Sequence, residues 1–178
     1  MRLYVAGSSS SGNCYLLYDE REILILECGV PFKNINGLPF FDLEKVVGCV
    51  ISHEHGDHAG RMNEFLDYGV DCLASSGTIS SLSFTSKRLP LMIEEGVTVM
   101  AGAFSIVPFK IAHDANEPLG FLIDHPDTGP ILFATDTYML YYRFPNLRHV
   151  MIECNYDRSI LDRNVTEGRI NKSRRDGG

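Results

Sequence analysis

A chain of 178 residues, 44% hydrophobic and 22% charged, is long enough to fold as one domain around a sizeable core. Its net charge of −7 is uneven: residues 1–142 carry 8 basic and 18 acidic groups, residues 143–178 carry 8 and 5. The acidic body argues against broad, non-specific attraction to duplex nucleic acid, and the longest apolar runs are strand-sized, far short of a membrane span.

In chain order, short apolar or alternating runs occur at 3–6, 14–18, 23–27, 46–51, 71–74, 97–100, 104–111, 121–124, 131–134 and 150–153. Each is of strand length and is bounded by Gly, Pro, Asp or Ser. Turn chemistry is legible at 19–22 and 125–130, and helical patterns at 61–68, 76–82 and 159–167. Many strands with helices between some of them predict a layered α/β or α+β domain over residues 1–168, followed by a polar basic tail at 169–178. Met1 to Gly7 gives way to serine too soon for a signal peptide. The five cysteines, Cys14, Cys28, Cys49, Cys72 and Cys154, are scattered through mostly apolar segments. They read as small buried hydrophobes in a reducing compartment, so a cytoplasmic location is expected.

Directly after the run 46–51 comes His53-Glu54-His55-Gly56-Asp57-His58. Three imidazoles and a carboxylate gain nothing from crowding by packing alone, but they are the ligands of borderline divalent cations such as zinc. In an extended segment His53 and His55 point the same way, as i and i+2 do on a strand, while Asp57 and His58 face a second position. Two adjacent metal positions follow. The zinc-protease helix signature is excluded, because the residue four after His53 is Asp57, and no Pro-Cys-x-x-Cys follows as a zinc deaminase requires. Two later runs also end in polar groups, 104–111 in His113-Asp114 and 131–134 in Thr135-Asp136-Thr137. Strand ends gathered on one edge would bring His113 and Asp136 to the loop. His125 lies in a Pro/Gly turn and reads as solvated; His149 opens the last run and reads as no ligand. The Ser8–Asn13 stretch reads as a turn of small residues in which Asn13 can face an anion.

The order of Glu27-Cys28-Gly29, the loop His53–His58, His113 and Asp136 resembles the metallo-β-lactamase superfamily over residues 2 to 157. The resemblance implies a four-layer αββα sandwich. Within the superfamily the chain is similar to the small WalJ/YycJ-like hydrolases, grouped with phosphodiesterases and nucleases. That likeness rests on Ser9-Ser10-Ser11-Gly12-Asn13, His113-Asp114 with Glu117-Pro118, Phe133-Ala134-Thr135-Asp136-Thr137 and Glu153-Cys154-Asn155-Tyr156-Asp157. It implies two divalent ions, zinc or manganese. His53, His55 and His113 would hold the first and Asp57 and His58 the second, with Asp136 bridging both together with a water or hydroxide. Asp57 and Asp136 would then be the catalytic carboxylates, Glu27 would support the metal loop from behind, and Asn13 and Asn155 would stand near the substrate. A carboxylate at the bridging position suits phosphodiesterases, whereas β-lactamases proper usually have cysteine there.

Two departures from the family pattern stand out. Glu27 replaces the usual Asp before Cys-Gly and is one methylene longer, so a shifted but usable hydrogen bond is expected. The family's late histidine has no counterpart, since none follows His149. A C-terminally incomplete sandwich is therefore expected, with a tight first metal position, a weak second one and a tendency to self-associate. The expected activity is metal-dependent hydrolysis of a phosphodiester, in a nucleotide or nucleic acid, without membrane association. The alternatives are a thioester or lactone hydrolase on the same fold, or a metal-binding module with little catalysis.

Overall fold

The computed structural model describes residues 1–153, 163 and 166–168. Cys154, Asn155, most of the predicted helix at 159–167 and the tail at 169–178 lie outside the described residues. Two sheets form the body. The first takes β1 (Arg2–Ser9), β2 (Gly12–Tyr18), β3 (Ile23–Leu26), β4 (Val46–Val50), β5 (Cys72–Ala74) and β6 (Leu91–Met92) in that spatial order. β1 to β3 pair antiparallel, and β3 to β6 pair parallel. The second sheet takes β7 (Val99–Ala101), β8 (Phe104–Lys110), β9 (Leu119–Asp124), β10 (Ile131–Ala134) and β11 (His149–Ile152), in the order β11-β10-β9-β8-β7. All its pairs are antiparallel except β10 with β11.

The period-2 alternation of side chains divides the core into layers. On β3, Ile23 and Ile25 face the helical side with Cys49, Ile51, Cys72 and Phe65, while Leu24 and Leu26 face the second sheet. Phe104, Ile106, Phe121, Ile123, Ile131 and Phe133 meet them there. Because both faces of β3 are covered, its sequence reads as an unbroken apolar run instead of an alternating one. Burying a side chain such as Leu24 or Phe104 contributes about 2 kcal/mol each. Phe109, Ile111, Leu132 and Ala134 point out of the second sheet's far face, and among the described residues Leu140, Phe144 and Leu147 cover them. The fold is an α/β sandwich of the αββα type.

Among the described residues, the first sheet's side carries the short helices α1 (Lys33–Asn36), α2 (Gly56–Ala59), α3 (Met62–Asp67) and α4 (Ser76–Ser80). The predicted runs match the observed strands to within a few residues. β6, only two residues long, and α1 and α2 carry too little pattern to be read from sequence. The strand expected at 97–100 begins at Val99, because Gly96 turns the chain at φ 74°. Cys14, Cys28, Cys49 and Cys72 are free and buried, as expected of small hydrophobes. Among the described residues no helix is long and apolar enough to cross a membrane.

His125 corrects the sequence reading, because it is 1% exposed and not solvated. Its Nε2 lies 2.9 Å from Glu22 Oε1, and its Nδ1 accepts from the Asp127 N–H at 3.2 Å. Glu22 Oε2 also accepts from the Ala103 N–H at 2.9 Å. The turn after β2 is thereby tied to two turns of the second sheet. A lone residue in a turn gives no sign that the opposite sheet will close over it. Removing one partner strands the other in the interior, so Glu22→Ala is expected to cost about 3 kcal/mol of unfolding free energy in urea denaturation. A loss below about 1 kcal/mol would show that the pair behaves as a solvated one.

Candidate metal centre

The sandwich's other end gathers the polar strand ends. After β4 the chain continues through Ile51, Ser52 and His53, all fully buried, before α2 turns Asp57 and His58 back toward the sheet. The tail of β3 pins this turn through Cys28 N–H to His58 O at 2.8 Å and Arg61 N–H to Cys28 O at 3.0 Å. Gly29 makes the approach close, since a Cβ there would lie 1.8 Å from the Asp57 carbonyl oxygen. From the second sheet, the loop after β8 brings His113 and the loop after β10 brings Asp136. Glu27 and Asp136 both occupy the left-handed region, at φ 65° and 49°. That conformation is costly for residues with a Cβ and persists where surroundings enforce it.

His53 Nε2 lies 3.1 Å from His55 Nδ1, which lies 3.1 Å from His113 Nε2. Asp136 Oδ2 lies 3.4 Å from His53 Nε2 and 3.8 Å from His113 Nε2. One ligand atom from each of His53, His55, His113 and Asp136 falls within 4.8 Å of all the others. Four ligands held tetrahedrally around zinc at about 2.0–2.1 Å are separated by about 3.3 Å, close to these distances. The donor set therefore fits a borderline divalent cation.

Asp136 Oδ2 also reaches His58 Nε2 at 2.8 Å, and Asp57 Oδ2 lies 3.5 Å from the same nitrogen. Asp136 thus stands between the three-imidazole group and the Asp57–His58 pair. Asn13 is buried beside that pair, with its amide nitrogen 3.2 Å from His58 Nε2 and 3.4 Å from Asp57 Oδ2. The charge states differ between the two halves. Burial, then the neighbouring imidazoles, pushes His53 down to about 2, so that it is neutral with a lone pair to offer. Burial likewise lowers His113. Burial opposes the charge on His58 too, but contacts with Asp136 and Glu27 prevail and raise it to about 10. The hydrogen bond from His58 holds Asp136 well below the usual carboxylate range.

The shifted hydrogen bond expected from Glu27 goes to the backbone at the start of the loop and not to the His58 ring. Glu27 Oε1 lies 3.5 Å from His58 Nδ1, an ion pair too long to be a hydrogen bond. The other oxygen, Oε2, accepts from the Ser52 N–H at 3.2 Å, so one carboxylate is divided between two elements. Two contributors went unassigned in the sequence reading. Ser52 Oγ lies 2.8 Å from His53 Nδ1 and fixes that ring from behind. Glu153 Oε2 accepts from the Asp136 N–H at 3.2 Å; its contact with Asp136, then burial, raises it to about 7. The clue to Glu153 was its place at the end of β11, which runs parallel to β10 and sets it beside the Asp136 loop.

A sequence profile of the metallo-beta-lactamase superfamily matches residues 9–137. The exodeoxyribonuclease WalJ of Streptococcus pneumoniae serotype 2, strain D39, is 28% identical over 173 residues, covering 88% of this chain and 63% of the relative. The WalJ of strain R6 matches to the same extent. The chain thus spans under two thirds of the length of these curated relatives. A metallo-beta-lactamase from Cronobacter sakazakii with a HARLDQ motif superposes with a TM-score of 0.66 at 13% identity, over 95% of this chain and 81% of that one. The metallo-beta-lactamase fold protein YhfI from Bacillus subtilis superposes at 0.59 with 16% identity, over 76% and 61%.

Gly29 lets β3 and the loop of Asp57 touch. Gly29→Ala is expected to cost about 2 kcal/mol through overpacking, read as a lower urea midpoint. A midpoint equal to that of the wild type would contradict this account of the loop's placement.

Proposed function

The chain belongs to the metallo-beta-lactamase superfamily of metal-dependent hydrolases, and from that premise we propose that it is a phosphodiesterase acting on a nucleotide or nucleic-acid ester. The observation that carries the reading is the position of Asp136, whose Oδ2 approaches ring nitrogens of both His53 and His58. The exodeoxyribonuclease activity in the name of the WalJ relatives supports the same substrate class.

In this reading His53, His55 and His113 would hold one divalent cation, Asp57 and His58 would face a second, and Asp136 would be within reach of both. Bound ions supply Lewis acidity toward the phosphoryl oxygens and a hydroxide nucleophile near neutral pH. The chain's own residues prepare the site for them. Ser52 fixes the His53 ring, Glu27 stands behind His58, and Glu153 holds the backbone that carries Asp136. Asn13 directs its amide at the Asp57–His58 pair and so limits how a phosphate oxygen enters there. The acidic body offers little electrostatic attraction to a polyanion, so recognition of the ester rests on the site itself.

The two positions are unequal. The first gathers three imidazoles and a carboxylate, whereas His58 is already engaged by Asp136 and Glu27. Titration of the metal-free protein with zinc should therefore show one tight ion and a second bound far more weakly; two ions of equal affinity would contradict this asymmetry. The zinc- or manganese-loaded protein is expected to hydrolyse an activated phosphodiester. Asp136→Ala and Asp57→Ala should each lower the rate by at least about 100-fold, since both carboxylates sit where ions and ester meet. No turnover above buffer by the metal-loaded protein, or turnover of thioesters alone, would overturn the assignment.

A further inference from the structure

Each ligating imidazole in a metal site ordinarily has its other ring nitrogen tethered, and the tether sets the ring's orientation. His53 has Ser52 Oγ behind it, while His58 has the Glu27 carboxylate only at ion-pair distance, 3.5 Å. His113 Nδ1 is buried with no hydrogen-bond partner. Its ring is placed by how its loop is docked.

That loop, between β8 and β9, is held to the first sheet by two carboxylates. Glu54 sits between His53 and His55 but does not join the imidazole cluster. Its Oε1 accepts from the Asn116 N–H at 2.7 Å. Glu117 Oε2 accepts from the Gly77 N–H at 2.6 Å and from Ser76 Oγ at 2.8 Å, at the start of α4. Ser75 Oγ donates to the Glu117 carbonyl at 2.7 Å. Glu117 adopts φ 72°, an unfavourable conformation for a residue with a Cβ, and these bonds hold it there. Gly77 makes the contact close enough: a Cβ there would lie 2.2 Å from the Asn116 carbonyl oxygen. His113 therefore comes from the second sheet, and residues three and four further along its loop are fastened to the first.

We propose that Glu54 and Glu117 are positioning residues that dock the His113 loop and thereby set the affinity of the three-imidazole site for its cation. The proposal rests on the metal reading of that site. The hydrogen bond from Asn116 needs an acceptor oxygen at position 54 but no negative charge, which separates docking from a simple electrostatic effect. The pairing also accounts for a glutamate that lies among metal ligands yet turns its carboxylate away from them.

The test uses the 178-residue chain stripped of metal, with zinc affinity read by competition against a chromogenic chelator and cobalt(II) absorption as the spectroscopic readout. Glu54→Ala and Glu117→Ala should each weaken zinc binding about tenfold or more, and Glu54→Gln, which keeps an acceptor oxygen, should stay within about threefold of wild type. The cobalt spectrum of Glu54→Ala should shift to that of His113→Ala. Adding Glu54→Ala to His113→Ala should change zinc affinity by less than about threefold, because both changes remove the same ligand. Wild-type affinity in both alanine variants, additive losses in the double variant, or loss of the metal-free melting transition in Glu54→Ala would each overturn the proposal. If instead the wild type takes up no zinc, or takes it up equally well after His53→Ala, the metal reading itself falls.

Discussion

Three imidazole nitrogens and a carboxylate oxygen within 4.8 Å of one another constrain everything around them. Neutral imidazoles brought nose to nose cannot all donate or all accept, and protonated ones repel. Burial drives His53 down to about 2, which leaves its ring neutral with a lone pair available to a ligand or a neighbouring N–H. A divalent cation bound among them would resolve the conflict by shared coordination. The left-handed backbones of Glu27 and Asp136 and the glycine contact beneath Asp57 are local costs that the rest of the fold must offset.

The offset comes from the division of labour between the sheets. β3 and β4 are buried on both faces and give the histidine loop a rigid base; β8 and β10 deliver His113 and Asp136 from across the inter-sheet core. A small change in the angle between the sheets would separate the two halves of the centre. The polar ties that oppose such a change lie at both ends of the sandwich. Glu22 and His125 link the turns at one end, and at the other Glu54 and Glu117 fasten the His113 loop to the first sheet.

The loop His53–His58 was legible because its chemistry is carried by neighbours in the chain, and His113 and Asp136 because each ends an apolar run. The layered fold was legible from alternation, since one pattern of side chains had to serve two cores. Other features depend on contacts between segments distant in sequence. His125 looked solvated because nothing near it announces Glu22, 103 residues away. Ser52 and Glu153 were silent for a related reason, since a hydrogen bond to a ligand's far side shows only once the ring's direction is known. The bond expected from Glu27 is made, but its partner was not legible: one carboxylate oxygen accepts from the Ser52 N–H and the other stands 3.5 Å from His58.

The central claim is that the imidazole cluster is a cation site completed by a carboxylate from the opposite sheet. Crystals of zinc-loaded protein, with diffraction recorded on both sides of the zinc absorption edge, test it most directly. The account predicts an anomalous peak within coordination distance of His53 Nε2, His55 Nδ1, His113 Nε2 and Asp136 Oδ2. Zinc located elsewhere on the chain, or imidazoles turned away from one another with no peak between them, would contradict it.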